Sequence, residues 1–428
     1  MSSYIRRKTP GDTGWFVHDR FGMFLHWGLY SMPARHEWVK SYEEIPEKKY
    51  DVYFRNFSPD LYDPREWARR ARAAGMKYAV LTTKHHEGFC LFDSAYTDYK
   101  CTNTPAGRDL VREYVDAFRA EGLRIGFYYS LLDWHHPDYT IDRFHPRRND
   151  PQAEELNRGR DMRRYAEYMR NQVRELLTNY GKIDILWFDF SFDDPNPIHP
   201  WMRGKGKEDW EAEKLISLAR SLQPGIIIDN RTELEQDLWT PEQYQPTDWI
   251  RHETTGEYVT WEACQTFSGS WGYHRDETTW KSPEQLIKML INTVCCGGNL
   301  LMNVGPTSRG YFDARAVRAL EVYGDWMKYN SRSVYGCTMA EPELLKTCPA
   351  GCRYTQSEDG KRLYIHIFDY PFRALEIPGL AGKAEYAQFL HDGSELLFRE
   401  KAGEKLTFTL PVVKPDVLIP VIEVLLKQ

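Results

Sequence analysis

The run Ile183-Asp184-Ile185-Leu186-Trp187-Phe188-Asp189 carries an apolar stretch directly onto a carboxylate. So dense a run of Ile, Leu, Trp and Phe predicts a strand buried on both faces, as in a parallel sheet. Where parallel strands close into a barrel, their C-terminal ends build the active site. Asp189 at such an end is a candidate nucleophile or general base; the plain alternative is an Asp that caps the following turn. Other strand candidates end in a similar way. His26-Trp27 closes one, Lys84-His85-His86-Glu87 a second, Tyr128-Tyr129 a third and Asn230-Arg231 a fifth. Packing does not explain polar groups at five strand ends, because buried polar groups need partners. A functional cluster does.

Three chemistries could use that cluster. A metal site would draw on His26, His85, His86 and Asp189, with His135-His136 nearby in sequence. No H-x-x-x-H or H-x-x-E-H spacing accompanies them. Adjacent histidines on an extended chain point to opposite sides, so His85 and His86 would need a bend to share an ion. Hydrolysis by a carboxylate pair needs a second acid on a later loop. Glu242, in Thr240-Pro241-Glu242-Gln243, and Glu262, in Thr260-Trp261-Glu262-Ala263, are the candidates, with helix capping or a surface role as the alternative for either. Sugar binding without turnover would need only the His, Trp and Arg.

Alternating elements must position these residues. Apolar runs predict strands over 22–27, 78–83, 125–131, 183–189, 225–229 and 300–304. Amphipathic segments predict helices over 63–74, 109–121, 154–180, 208–222, 283–294 and 313–329. Asp63-Pro64 and Ser282-Pro283 read as N-caps followed by proline, and Gly75, Gly122 and Gly181 as helix stops. Such alternation predicts an α/β fold with parallel strands, a right-handed (β/α) barrel rather than an open doubly wound sheet. No G-x-G-x-x-G follows a strand and no Walker loop occurs, which weakens the nucleotide-binding alternative. Beyond Gly336 short alternating runs separated by Gly, Asp and Pro predict an antiparallel β-sandwich. The expected division is a catalytic barrel over 1–335 and a sandwich over 336–428.

The chain has 428 residues, 42% of them hydrophobic, enough to bury a large core. Its aromatic share of 14% is high; such rings stack on the C–H faces of sugars but also fill cores. A net charge of −6 gives no reason to expect nucleic acid or an anionic membrane as partner. No apolar run reaches the ~20 residues of a membrane span. The first ten residues lack the apolar core of a secretory signal, and the eight cysteines form no C-x-x-C pair or disulfide framework. The expected setting is the cytoplasm.

Longer motifs carry a resemblance. Arg20-Phe21-Gly22-Met23-Phe24-Leu25-His26-Trp27-Gly28, Glu37-Trp38, Leu81-Thr82-Thr83-Lys84-His85-His86-Glu87-Gly88-Phe89-Cys90 and Gly126-Phe127-Tyr128-Tyr129-Ser130 stand in order along the chain. Trp187-Phe188-Asp189, Ser270-Trp271-Gly272-Tyr273 and 297–306, Gly-Gly-Asn-Leu-Leu-Met-Asn-Val-Gly-Pro, continue it. In these motifs the chain resembles the α-L-fucosidases of glycoside hydrolase family 29 across essentially its whole length.

The resemblance implies a degenerate (β/α)8 TIM-like barrel with a C-terminal antiparallel β-sandwich. It implies an exo-acting, retaining α-L-fucosidase that takes fucosylated glycans or fucosides, needs no cofactor or metal, and uses Asp189 as nucleophile. His26, Glu37, Trp38, His85, His86, Tyr128 and Arg231 would hold the sugar, and Trp271 would pack on its apolar side. Glu242, eleven positions after Arg231, resembles the family's acid/base segment; Glu262, in a recurring Trp-Glu pair, is the second candidate. For retention the two carboxyls should lie about 5–5.5 Å apart. Two departures stand out. Phe190 replaces a glycine found in many relatives, and is expected to narrow the site beyond the fucose. Asp229-Asn230 inverts the more usual Asn-Asp before Arg231. A fucose-binding protein without catalysis and a metal-dependent hydrolase stay open as alternatives. Homo-oligomerisation is compatible with the aromatic content and the appended sandwich.

Overall fold

The computed structural model describes residues 4–401 and 404–427. Seven strands form one all-parallel sheet: β1 (Phe21–Leu25), β2 (Tyr78–Lys84), β3 (Arg124–Ser130), β4 (Ile185–Asp189), β5 (Ile227–Ile228), β6 (Glu262–Thr266) and β7 (Asn299–Val304). Their order is β5-β4-β3-β2-β1-β7-β6. Apart from Arg124, every residue of these strands is buried, as expected of strands covered by helices outside and by packed side chains within.

The helices start and stop for local reasons. Asp63 accepts hydrogen bonds from the Arg65 and Glu66 backbone N–H groups ahead of helix Pro64–Ala73. Ser282 and Gln285 form a capping box at the start of Pro283–Cys295; each cap satisfies donors that the first turn leaves unpaired. Gly75, Gly122 and Gly181 all have positive φ just past helix ends, the left-handed geometry that closes a helix. The helix expected over 154–180 is two, Ala153–Arg158 and Met162–Asn179, because Asp161 caps the second by accepting from Arg163 N–H.

Some elements depart from the sequence expectation. Helices Gly14–Asp19 and Glu47–Asn56 and strand β6 lie outside the predicted elements, and β5 is only two residues long. The sheet does not close directly from β5 to β6. Instead the segment 238–242 spans the gap through isolated parallel bridges, Asp229 to Leu238, Trp239 to Trp261 and Glu242 to Cys264. It stands where an eighth strand would, and it delivers Glu242 to the barrel mouth.

The C-terminal part is antiparallel. Strands β8 (Cys337–Met339), β9 (Cys352–Ser357), β10 (Arg362–Ile367), β11 (Ala374–Pro378), β12 (Ala384–Phe389), β13 (Phe398–Lys401), β14 (Lys405–Thr409) and β15 (Val421–Leu426) form two sheets, β12-β15-β10-β9-β8 and β11-β14-β13. Ile365 and Ile422 of the first share a core with Ile377, Leu406 and Phe408 of the second, the layered packing of a sandwich. Buried Arg20, just before β1, donates to the carbonyls of Cys337 and Gly297 at 2.8 and 2.7 Å and so ties the barrel to β8. No helix among the described residues is long and apolar enough to cross a membrane.

Candidate active site

Asp189 ends β4, in register with Ser130 of β3. Its Oδ2 accepts the Tyr128 hydroxyl at 2.7 Å and its Oδ1 accepts Arg231 Nη1 at 2.7 Å. His86 Nε2 stands 3.9 Å from Oδ2. Trp187, two residues back along β4, supports both partners: the Arg231 guanidinium lies 4.5 Å from its ring and Tyr128 stacks on it at 5.8 Å. Arg231 then reaches across the barrel gap. It donates through Nε to Thr240 Oγ1 at 2.8 Å and through Nη2 to the Thr240 carbonyl at 3.1 Å, and Nη2 pairs with Glu242 Oε2 at 2.8 Å. One guanidinium therefore joins two carboxylates, one on a rigid strand and one on the irregular segment.

A pocket of about 90 Å³ opens over Asp189, lined by His26, Glu37, Trp38, His85, His86 and Trp271 together with Tyr128, Arg231 and Glu242. The two adjacent histidines both face it. Strand β2 stops at Lys84, the chain turns, and the imidazoles of His85 and His86 come within 4.0 Å, centroid to centroid. That is the bend an extended chain would not supply. Lys84 points the other way, onto Asp133 at 3.0 Å. Partners fix the rings. His26 Nδ1 is 2.7 Å from Asn303 Oδ1, and His86 Nδ1 is 2.7 Å from Ser130 Oγ. Burial pushes the His26 imidazole down to about 3 and those of His85 and His86 well below their ordinary value. All three are neutral at pH 7, and with Nδ1 of His26 and of His86 already engaged, each of those two rings has its Nε2 left for a hydroxyl-bearing ligand.

Glu37, which also lines the pocket, is buried. Its Oε2 accepts the backbone N–H groups of Trp271 and Gly272 at 3.2 and 3.0 Å, which positions Trp271, and Asn303 Nδ2 donates to the Trp271 carbonyl at 2.6 Å. Burial pushes the Glu37 carboxyl up to about 7. Trp38 packs edge-on against His86 and lies against Phe190, at 4.8 and 5.1 Å. Phe190, in the position expected to narrow the site, has φ of 79°, the left-handed region that costs a residue with a Cβ and suits glycine. Of the inverted pair, Asp229 is buried and accepts from Phe188 N–H at 3.2 Å.

Glu262 is not in the pocket. It begins β6, is fully buried, and accepts hydrogen bonds from the Tyr78 hydroxyl and, at 3.4 Å, from Trp187 Nε1. Gly22 opposite Tyr78 makes room for that ring, since a Cβ there would meet it at 2.3 Å. Burial pushes the Glu262 carboxyl up to about 7. The residue forms the floor beneath Trp187. His135 and His136 also lie elsewhere, His135 stacked on Tyr99 and bonded to Glu47, His136 packed on Tyr168. Among the described residues no group of three His, Cys, Asp or Glu is placed to hold a metal ion. Sequence reasoning missed Asn303, Ser130 and Thr240, and also Cys264, which lines the pocket. For Asn303 a signal existed: it is a polar residue inside the apolar run 300–304.

The arrangement can present a carboxylate nucleophile, a second carboxyl beside it, and neutral donors and acceptors around a small polyol with an apolar side. The sequence model of the α-L-fucosidase family matches residues 5–332. Human plasma α-L-fucosidase is 30% identical over 396 residues, 83% of this chain and 76% of that protein. Among solved structures, α-L-fucosidase isoenzyme 1 of Paenibacillus thiaminolyticus is 46% identical with a TM-score of 0.90, covering 97% of this chain and 99% of that one. A GH29 α-L-fucosidase of Bacteroides thetaiotaomicron is 27% identical with a TM-score of 0.82, covering 100% and 97%.

Proposed function

The chain belongs to the α-L-fucosidase family of glycoside hydrolases, and from that premise we propose that it removes terminal α-L-fucosyl groups from glycans or fucosides by double displacement. In the first step an Asp189 oxygen attacks the anomeric carbon as the glycosidic C–O bond breaks, and Glu242 gives its proton to the leaving oxygen. In the second, water attacks the same carbon, Glu242 takes the water's proton, and Asp189 departs with its electron pair. Two inversions give retention.

The observation that carries this reading is the Arg231 bridge, which holds Asp189 and Glu242 on one cation at the pocket. The cation and the Tyr128 hydroxyl keep a lone pair of Asp189 localised and aimed. A trapped covalent intermediate of the Bacteroides thetaiotaomicron enzyme supports the same two-step course here. His26, His85, His86, Glu37 and Trp38 then hold hydroxyls, and Trp271 with Phe24, which also lines the pocket, gives the methyl group an apolar wall. The test is nitrophenol release from p-nitrophenyl α-L-fucoside by the wild type and by Asp189→Ala, Glu242→Ala and Glu262→Ala. Azide is added to the two glutamate variants. Loss in Asp189→Ala, with azide rescue of Glu242→Ala alone to the α-fucosyl azide, is the expected result. Rescue of Glu262→Ala instead would reverse the assignment of the acid/base.

A further inference from the structure

Two of the three pocket histidines are tied, through one intermediary each, to a backbone carbonyl. A carbonyl oxygen can only accept, and that fixes the direction of each hydrogen bond behind it. Asn303 is a buried residue of β7. Its amide faces the Trp271 carbonyl at 2.6 Å and His26 Nδ1 at 2.7 Å. That carbonyl is itself held in place, because the N–H groups of Trp271 and Gly272 are anchored on Glu37. Nδ2 must therefore face the carbonyl and Oδ1 the ring, so the proton between Asn303 and His26 sits on Nδ1.

Ser130, buried at the end of β3, does the same for His86. Its hydroxyl donates to the Leu132 carbonyl at 3.0 Å and has only lone pairs left for His86 Nδ1 at 2.7 Å. The proton of that contact again belongs to the ring. A neutral imidazole has a single N–H. With it spent on Nδ1, the Nε2 of each ring is a bare lone pair. For His86 this matters twice, since its Nε2 stands 3.9 Å from Asp189 Oδ2. A hydrogen there would bring a further donor to a nucleophile that Tyr128 and Arg231 already hold. His85 has no such tie: its Nδ1 is buried and has no hydrogen-bond partner among the described residues.

We propose that Asn303 and Ser130 are positioning residues that lock His26 and His86 as Nδ1–H tautomers, so that both rings meet the sugar as acceptors only and select hydroxyls that donate. The inference rests on the fucosidase reading for its ligand, though not for the tautomers, and the experiment separates the two. In protein carrying isotope-labelled histidine, long-range proton–nitrogen correlations distinguish the neutral tautomers, and the two rings are assigned by signal loss in His26→Gln and His86→Gln. Both should be Nδ1–H at pH 7; an Nε2–H signal from either overturns the proposal. Calorimetry then compares L-fucose with its 2-, 3- and 4-deoxyfluoro analogues, in which fluorine replaces a hydroxyl and cannot donate. At least two analogues should bind about tenfold more weakly than fucose, the factor carried by one hydrogen bond of ordinary strength. The penalty for one of them should shrink to about twofold in Asn303→Ala, and for another in Ser130→Ala. A merely structural role would weaken fucose and every analogue by one factor, and that pattern overturns the proposal. Asn303→Asp keeps an oxygen for His26 Nδ1 and should keep the penalty, which preserves the test if Asn303→Ala does not fold; loss of the penalty there overturns it too. A wild type with both rings Nδ1–H that binds no fucose sinks the fucosidase reading, and the sugar with it, while the tautomer lock stands.

Discussion

Glu242 and Glu262 lie on adjoining stretches of one barrel wall, linked through bridges from Glu242 to Cys264 and from Trp239 to Trp261, yet they live in different media. The Glu242 side chain is 41% exposed at the pocket rim and paired with Arg231. Glu262 is fully buried in the floor, its carboxyl between Tyr78 and Trp187. The difference is one of backbone regularity. Strand β6 is regular and turns its alternate residues into the packed interior, whereas segment 238–242 is irregular and lets an acid reach the mouth. Rim carboxylates can exchange protons with a substrate; a floor carboxyl can only brace what lies above it.

The largest test of that contrast is at the rim. Asp189→Ala should lower kcat by at least about 10⁴-fold, as loss of a nucleophile does, with fucose binding largely retained when measured by calorimetry. A loss below a hundredfold would take Asp189 out of the chemistry. Next comes the pair of glutamates. Glu242→Ala should cost about 10²–10⁴-fold, the range of general acid–base catalysis, and the loss should be greater for disaccharides than for an aryl fucoside whose leaving group needs no proton. Equal losses on both substrates would break the distinction between rim acid and floor brace.

The floor answers to a different measurement. In Glu262→Ala the Tyr78 hydroxyl and the Trp187 indole lose their acceptor, which should cost about 2–4 kcal/mol of stability through unmet hydrogen bonds and the void left behind. Its carboxyl is raised from 4.5 to about 7 by burial, so between those values the folded state holds more protons than the unfolded chain. Stability from this group is therefore full below pH 4.5 and declines as pH rises towards 7, by about 3 kcal/mol over the whole span. Glu262→Gln, neutral throughout, removes that slope. The difference in unfolding free energy between Gln variant and wild type should grow from pH 4.5 to 7 and then level off. A flat difference would mean that Glu262 is not sealed from water.

The same contrast explains what the sequence made legible. Strands β1 to β4 and β7 are apolar enough to be seen, and the capped helices announce their own ends. Strand β6 hides because Glu262-Ala263-Cys264-Gln265-Thr266 is largely polar; its residues are buried by the barrel rather than by their own apolarity. Segment 238–242 hides because it contains Pro241 and follows no period. The motifs brought nine substrate and catalytic candidates to one pocket besides Asp189, but a motif records which residue recurs, not which way it faces. Hence Glu262 reads as an acid in sequence and stands as a floor in space, and the bend that turns His85 and His86 to one side is invisible until the strand is seen to stop at Lys84.

Phe190 gives the smallest and cleanest test, because here the rim carries strain that the floor does not. Its φ of 79° disfavours any Cβ, and the ring is held by Trp38, His86, Phe144 and Phe192. Alanine would lose the ring and keep the strain; glycine would lose both. At most positions glycine is the less stable of the two, through its greater freedom in the unfolded chain. At this one the order should invert, with Phe190→Gly more stable than Phe190→Ala by about 1 kcal/mol, read from chemical denaturation of the two variants. The usual order would show that Phe190 relaxes out of the left-handed region once its ring is gone, and that the aromatic contacts, rather than the turn after β4, impose its conformation.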